Sequence, residues 1–257
     1  MQLFEEAGLE LEPYTLADEE LMHRTGTAGA GARAEHVELT VKAYRADVGI
    51  RQARIALIEG GKALQVLNFC IFPSLDCPSL PTFAADLVTL PGGHLIALDF
   101  APNGRGPGAD AAFSAESALA VAYARHRDSL PDGGALPEAA TRYFSPYFLW
   151  SRLPLDEGSL IGSAVLPAFE DYLRGYLDLV RDAQGKAAEG SGVSEGGTTA
   201  RDAQLAYSRY RADEDPARPM LTRLFGEEYA ERLIRELLFD LPLRLGVPDG
   251  EEAKEEA

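Results

Sequence analysis

The sequence predicts an α+β fold, an antiparallel sheet with helices laid on its faces, and three observations predict it. From His36 to Phe100 apolar residues recur with period two. The Gly/Pro turns between those stretches are too short for the crossovers that parallel strands need. After Pro107 the apolar spacing turns helical and stays so.

The N-terminal extension, residues 1–33, opens acidic and ends in the Gly/Ala stretch "GTAGAGAR", which reads as a loop. It has neither a basic region before an apolar one nor an Arg/Ser-rich bias, so no secretory or transit signal is visible. "HVELTVKAY" and "RIALIEG" are the first two strands, and Gly60-Gly61 turns into "ALQVLNFCIFP". "ADLVTL" and "HLIALDF" follow, joined by Pro91-Gly92-Gly93. "ADAAFSAESALAVAYARHRDSL" is a helix ended by "PDGG", and "PYFLW" belongs to an aromatic connection. "LIGSAVLPAFEDYLRGYLDLVRDAQ" is a long amphipathic helix with a kink or break expected at Pro167. Residues 183–200, rich in Gly, Ser, Thr and Glu, read as a flexible loop between two copies of "RDAQ". "RPMLTRLFGEEYAERLIRELLFDL" is a C-terminal amphipathic helix, and residues 247–257 are an acidic, frayed tail. Together the 257 residues are expected to form one domain.

The net charge of −17 argues against a nucleic-acid binder, which needs surplus Lys and Arg to displace counterions. No apolar run is long enough to cross a bilayer. Cys70 and Cys77 are the only cysteines, and no metal-ligand spacing accompanies them, so no metal is expected. Nucleotide-binding glycine motifs and the usual hydrolase motifs are absent.

What remains is a set of polar residues in apolar surroundings. Alternation puts Asp86 on one face with Val88 and Leu90, and Asp99 with Leu95 and Ala97. A carboxylate there is costly unless paired, hydrogen-bonded or protonated. Each aspartate is therefore either a strand-end residue that caps a turn or pairs with an arginine, or an acid with a raised pKa facing a cavity. Asp215 precedes Pro216, which also describes a helix N-cap. Asn68 interrupts an apolar strand. Arg152 and Arg211 sit among aromatic residues, where each forms a surface ion pair or clamps a ligand carboxylate.

Three segments decide between these readings: "LNFCIFPSLDCPSLPTFAADLVTLPGGHLIALDFAP", "LPDGGALPEAATRYFSPYFLWSRLP" and "YRADEDPARPMLTRLFGEEYAERLIRELLFDL". In them the chain resembles the ferredoxin-dependent bilin reductases, from about Leu39 to Leu241. The resemblance implies a three-layer α/β/α sandwich with a central antiparallel sheet and an open-chain tetrapyrrole held against it. It implies electrons delivered singly by reduced ferredoxin, and no bound metal or flavin. Asp86 matches the family's central aspartate, with Ala84 where the family pattern has glycine, and Asp215 matches its second. Asn68 stands where another branch has a catalytic histidine. Asn68, Arg152, Arg211 and Ser145 are the expected substrate contacts, Arg152 for a propionate and Arg211 for Asp215. "FSPYFLWSRLP" and "LPAFEDYLRGYLDL" most resemble the branch that reduces 15,16-dihydrobiliverdin at its A-ring diene to phycoerythrobilin; a sister reductase acting on biliverdin, or a non-catalytic carrier, are the alternatives. Further expectations from the resemblance are a monomer, handover of substrate from the preceding bilin reductase, and a plastid stroma or cyanobacterial cytoplasm. Ferredoxin is acidic, so docking needs a basic patch. Arg218, Arg223, Arg232 and Arg235 are the densest candidates, although Glu227, Glu228, Glu231 and Glu236 between them fit a salt-bridged surface equally well.

Overall fold

Sheet formation begins earlier in the chain than the alternating pattern indicates. The computed structural model describes residues 2–15, 18–29, 35–62, 64–77, 79–102, 112–136, 138–141, 143–188 and 197–247. After helix α1 (Gln2–Glu6), strands β1 (Glu12–Pro13) and β2 (His23–Ala28) both lie antiparallel along one edge of β3 (Glu35–Arg45). Residues 26–28, the start of the stretch expected to be a loop, thus belong to the sheet, while residues 30–34 lie outside the described residues. Gly26 explains why the alternation is hidden there. A Cβ on it would stand 2.2 Å from the Leu224 carbonyl oxygen, so close approach of a helix dictates glycine where a strand former would otherwise sit.

From β3 the chain runs as the expected meander through β4 (Ile50–Glu59), β5 (Gln65–Pro73), β6 (Thr82–Leu90) and β7 (Gly93–Ala101), each antiparallel to the last. An eighth strand, β8 (Leu149–Leu153), closes the far edge against β7. It belongs to the aromatic connection, where five residues are too few to display a period.

Helices cover both faces. The first carries Phe69, Ile71, Phe83, Leu98 and Phe100 and is sealed by α2 (Ala118–His126) and α4 (Leu166–Ala188), whose Leu119, Tyr172 and Tyr176 are buried there. Tyr172 donates to the Tyr147 carbonyl at 2.9 Å and Tyr176 to that of Pro81 at 3.0 Å, so their hydroxyls are satisfied inside the apolar layer. Helix α2 is shorter than the periodicity suggests. The Ser117 side chain accepts from the Ala120 amide and starts the helix there. The one-turn α3 (Glu138–Thr141) follows. Pro167 falls in the first turn of α4, directly after a π-helical turn at Ile161–Val165, so the expected break lies just before it.

The described parts of the 183–200 stretch, residues 183–188 and 197–200, are helical and not a loop. Helix α4 continues to Ala188 and α5 (Gly197–Asp213) begins before the stretch ends, while residues 189–196 lie outside the described residues, as does the tail from 248 on. On the second face, α6 (Arg218–Phe225), α7 (Glu227–Arg232) and a π-helical segment (Leu233–Leu238) bury Leu224, Phe225, Leu233 and Leu237 against Val37, Leu39, Ala56 and Phe72. These are separate elements and not one helix, because Gly226 adopts φ 90° between them.

The one-turn α8 (Leu241–Arg244) follows Asp240, a buried carboxylate that binds the Tyr14 hydroxyl, Arg51 at 2.8 Å and Arg244 at 2.5 Å. The register shift between Ile50 and Gln52 swings Arg51 onto this face beside Gln52. Gln52 and Arg54 then donate to the Leu237 and Leu238 carbonyls, the acceptors a helix C-terminus leaves unpaired.

Candidate functional site

Burial on the second face falls off toward β5–β8. Val66, Asn68, Asp86, Val88, Leu95, Ala97 and Trp150 are only half-buried, which leaves an apolar floor incompletely covered. Register places Asn68 directly opposite Asp86, and Asp86 opposite Ala97, which pairs with Trp150. All these side chains project to the face that bears the C-terminal helices, as strand alternation requires.

A chain of hydrogen bonds crosses this floor. Arg54, buried on β4, donates to the Asn68 side-chain oxygen, and the Asn68 amide donates to Asp86. One Arg54 nitrogen, Nη2, is buried with no partner. The guanidinium also lies 5.8 Å from the Phe72 ring centre and 5.6 Å from that of Phe239. Fixed at both ends, the Asn68 amide has its orientation set, and Asp86 is left with a free carboxylate oxygen toward the half-open space.

The opposite wall is helical. Asp215 follows α5, is nearly buried and accepts from the Ala217 amide at 2.7 Å. Asp215 thus closes the turn that leads into α6 and is not the helix's N-cap, which is Ala217 and takes no side-chain bond; the carboxyl remains within electrostatic reach of Asp86, Arg54 and Arg211. Burial holds its pKa above the ordinary carboxylate value; the Arg211 charge and the Ala217 amide pull the other way without cancelling it. Burial opposes the charge on Arg211, but Tyr207, Asp215 and Asp86 outweigh it and raise its pKa, so it stays cationic. Cys70, beneath them, has its thiol pushed up by burial and takes no part as an anion.

Arg152 stands on β8, the edge strand, exposed and 5.2 Å above the Trp150 ring. Two strand spacings separate it from the β6 row, about 10 Å, so it borders the floor and does not touch Asp86. Ser145 is placed differently from a substrate contact. It is buried, its amide donates to Asp99 at 2.8 Å, its hydroxyl donates to the same carboxyl, and it accepts from the Tyr147 amide at 3.1 Å. The structure thus assigns Ser145 to holding the aromatic segment against β7.

Asp99 is the buried acid of that pair. Burial pushes its pKa up to about 7 from an ordinary 3.8, against the opposing hydrogen bonds from Ser145. Between those two values the folded chain holds a proton that the unfolded chain releases. Stability therefore falls as pH rises through that window, by on the order of 4 kcal/mol. An Asp99→Asn variant keeps an oxygen to accept from the Ser145 amide, turns the second contact round so that its NH2 donates to the Ser145 hydroxyl oxygen, and carries no titrating proton. Its stability relative to the parent is expected to rise from pH 5 to pH 8; urea unfolding at the two values reads this, and parallel pH slopes for parent and variant refute it.

Three of the four arginines expected to form a basic patch are ion-paired, and the fourth, Arg223, stands exposed on α6. Arg218 pairs with Glu231, Arg232 with Asp18 and Glu236, and Arg235 with Asp213 and Glu231. Among the described residues no group of three His, Cys, Asp or Glu side chains could hold a metal ion, and no helix is long and apolar enough to cross a membrane. Arg54 is the site residue that the sequence reading missed. The signal was present, since "RQARIALIEG" puts Gln52 and Arg54 on the face of Ala56 and Ile58.

Comparison with known proteins bears on this geometry. Residues 3–240 match the family model described as ferredoxin-dependent bilin reductase. A phycoerythrobilin:ferredoxin oxidoreductase of Nostoc punctiforme is 44% identical over 239 residues, 93% of this chain and 89% of its own length. One from Gloeobacter violaceus is 46% identical over 214 residues, covering 82% of each. The crystal structure of tomato phytochromobilin synthase in complex with biliverdin superposes with a TM-score of 0.79 at 25% identity, over 99% of this chain and 86% of that one.

Proposed function

Since the chain belongs to the ferredoxin-dependent bilin reductases, we propose that its uncovered floor between Asp86 and Asp215 binds 15,16-dihydrobiliverdin and reduces the A-ring diene to give phycoerythrobilin. Ferredoxin-dependent reduction of a bilin follows from membership. The choice of substrate rests on the similarity to phycoerythrobilin:ferredoxin oxidoreductases and on Asn68 at the position opposite Asp86.

The observation that carries the mechanism is the pair of acids on opposite walls of an apolar floor. Each electron from reduced ferredoxin enters the conjugated pigment and raises its basicity, and a proton follows it. Two electrons and two protons add across one diene, with no group lost and no resident redox cofactor required. Asp215, protonated at higher pH than an ordinary carboxyl, supplies the proton at the A-ring diene. Asp86, oriented by Asn68, holds or protonates the pyrrole centre. Arg211 steadies Asp215 from the preceding turn, and Arg152, at the rim, meets a propionate. An apolar floor also keeps water from the radical.

Incubation of the purified chain with 15,16-dihydrobiliverdin and reduced ferredoxin tests this, with biliverdin in parallel. Dihydrobiliverdin absorption should be replaced by that of phycoerythrobilin. A change with biliverdin alone assigns the sister reaction, and an unchanged spectrum with both ends the proposal.

A further inference from the structure

Helix α5 bears two buried polar side chains, Gln204 and Ser208, to which the proposed mechanism gives no role. Gln204, Ser208 and Arg211 follow one another along one face of the helix, and the line runs on toward Asp215. Gln204 is 2% exposed and Ser208 0%. Neither end of the Gln204 amide has a hydrogen-bond partner, and neither does the Ser208 hydroxyl or Arg211 Nε. Folded chains rarely bury such groups unless something else completes their bonds.

Placement says where that something sits. Tyr207, in the same turn, lies within electrostatic reach of Arg211, Cys70, Asp86 and Asp99, so this part of α5 faces the floor formed by β5–β7. Another side of the helix is occupied elsewhere: Tyr210 stacks on Tyr143 with ring centres 4.1 Å apart.

The chemistry is neutral and two-sided. An amide presents a donor and an acceptor side by side, and a hydroxyl presents both on one atom. A propionate offers only acceptors and calls for a cation. A lactam offers an N–H beside a carbonyl, which is the complement of Gln204. We propose that Gln204 and Ser208 form a seat for one terminal lactam ring of the open-chain tetrapyrrole, an inference that rests on the bilin reductase reading of this site. Gln204 Nε2 and the Ser208 hydroxyl donate to the ring carbonyl, and Gln204 Oε1 accepts from the ring N–H. Gln204 stands about 10 Å along the helix from Arg211, so the seated ring is not the one beside Asp215. The seat therefore fixes which end of the pigment Asp215 protonates.

Absorbance titration of the purified full chain with biliverdin and with 15,16-dihydrobiliverdin tests the seat, alongside thermal melts without pigment. Gln204→Met is expected to weaken binding about tenfold to a hundredfold, and Ser208→Ala about tenfold. Neither should lower the melting temperature, because each removes a buried polar group that has no partner in the pigment-free chain. A fall in melting temperature, or wild-type affinity in both variants, overturns the seat. Ser208→Ala deletes a single oxygen and decides the matter if Gln204→Met does not fold. Failure of the parent chain to bind either pigment strikes the underlying reading instead.

Discussion

An Asp215→Asn variant is expected to bind bilin like the parent and to turn it over about 10²–10⁴ times more slowly, the usual contribution of a positioned general acid. The substitution isolates the proton. Asparagine keeps an oxygen to accept from the Ala217 amide, so the start of α6 is undisturbed. It keeps the volume and the burial and loses only the exchangeable hydrogen on the carboxyl. Asp86→Asn makes the same test on the sheet side, since its oxygen still accepts from Asn68. Acidity gives a second readout. The Asp215 pKa is raised, so the parent's rate should be highest at low pH and decline as pH climbs through that elevated value. The Asp215→Asn profile should lack this limb. Single-turnover absorbance with reduced ferredoxin measures both, and a variant stalled after the first electron should accumulate the pigment radical. Wild-type turnover in both variants removes the acids from the mechanism.

How far the sequence alone reaches is shown by particular residues. The meander from β3 to β7 is legible because every second residue of Val37–Val41 and of Phe69–Ile71 must be buried on a fixed side, and short turns leave no alternative to antiparallel pairing. β2 is not legible, because His23, Arg24 and Thr25 are exposed and Gly26 answers to a helix backbone rather than to strand propensity. α5 is hidden for a similar reason. Its polar residues Gln204, Ser208 and Arg211 are on the inner face, so the hydrophobic stripe that advertises a helix is interrupted where the helix faces the site. At the site itself, Asp86 and Asn68 stand out as polar residues on an apolar strand face, and the structure joins them directly. Ser145 shows the limit of residue type as a guide: a hydroxyl near the site binds Asp99 and the backbone, which no spacing rule could reveal.

Arg54 makes the largest structural prediction because it serves stability and site geometry at once. Arg54→Met preserves bulk and the contact with Phe72 and Phe239, yet it leaves the Asn68 oxygen and the Leu238 carbonyl without their donor. Two acceptors unpaired, one buried and one half-buried, at about 1–2 kcal/mol each give a loss of about 2–4 kcal/mol, or roughly 5–15 °C in melting temperature for a chain of this size. The consequence for chemistry is separate. Without Arg54 the Asn68 amide can turn, and the donor that orients Asp86 is no longer fixed. Turnover should therefore fall even at temperatures where the variant is fully folded, with kcat reduced more than bilin affinity. Arg54→Lys restores the charge and one donor but not the bond pair to Asn68 and Leu238, and is expected to recover stability better than turnover. A double-mutant cycle with Asn68→Leu isolates the link, because the turnover effect of Arg54→Met should largely vanish once Asn68 is gone. Additive losses in that cycle, or an Arg54→Met enzyme as stable and active as the parent, refute the chain from β4 to Asp86.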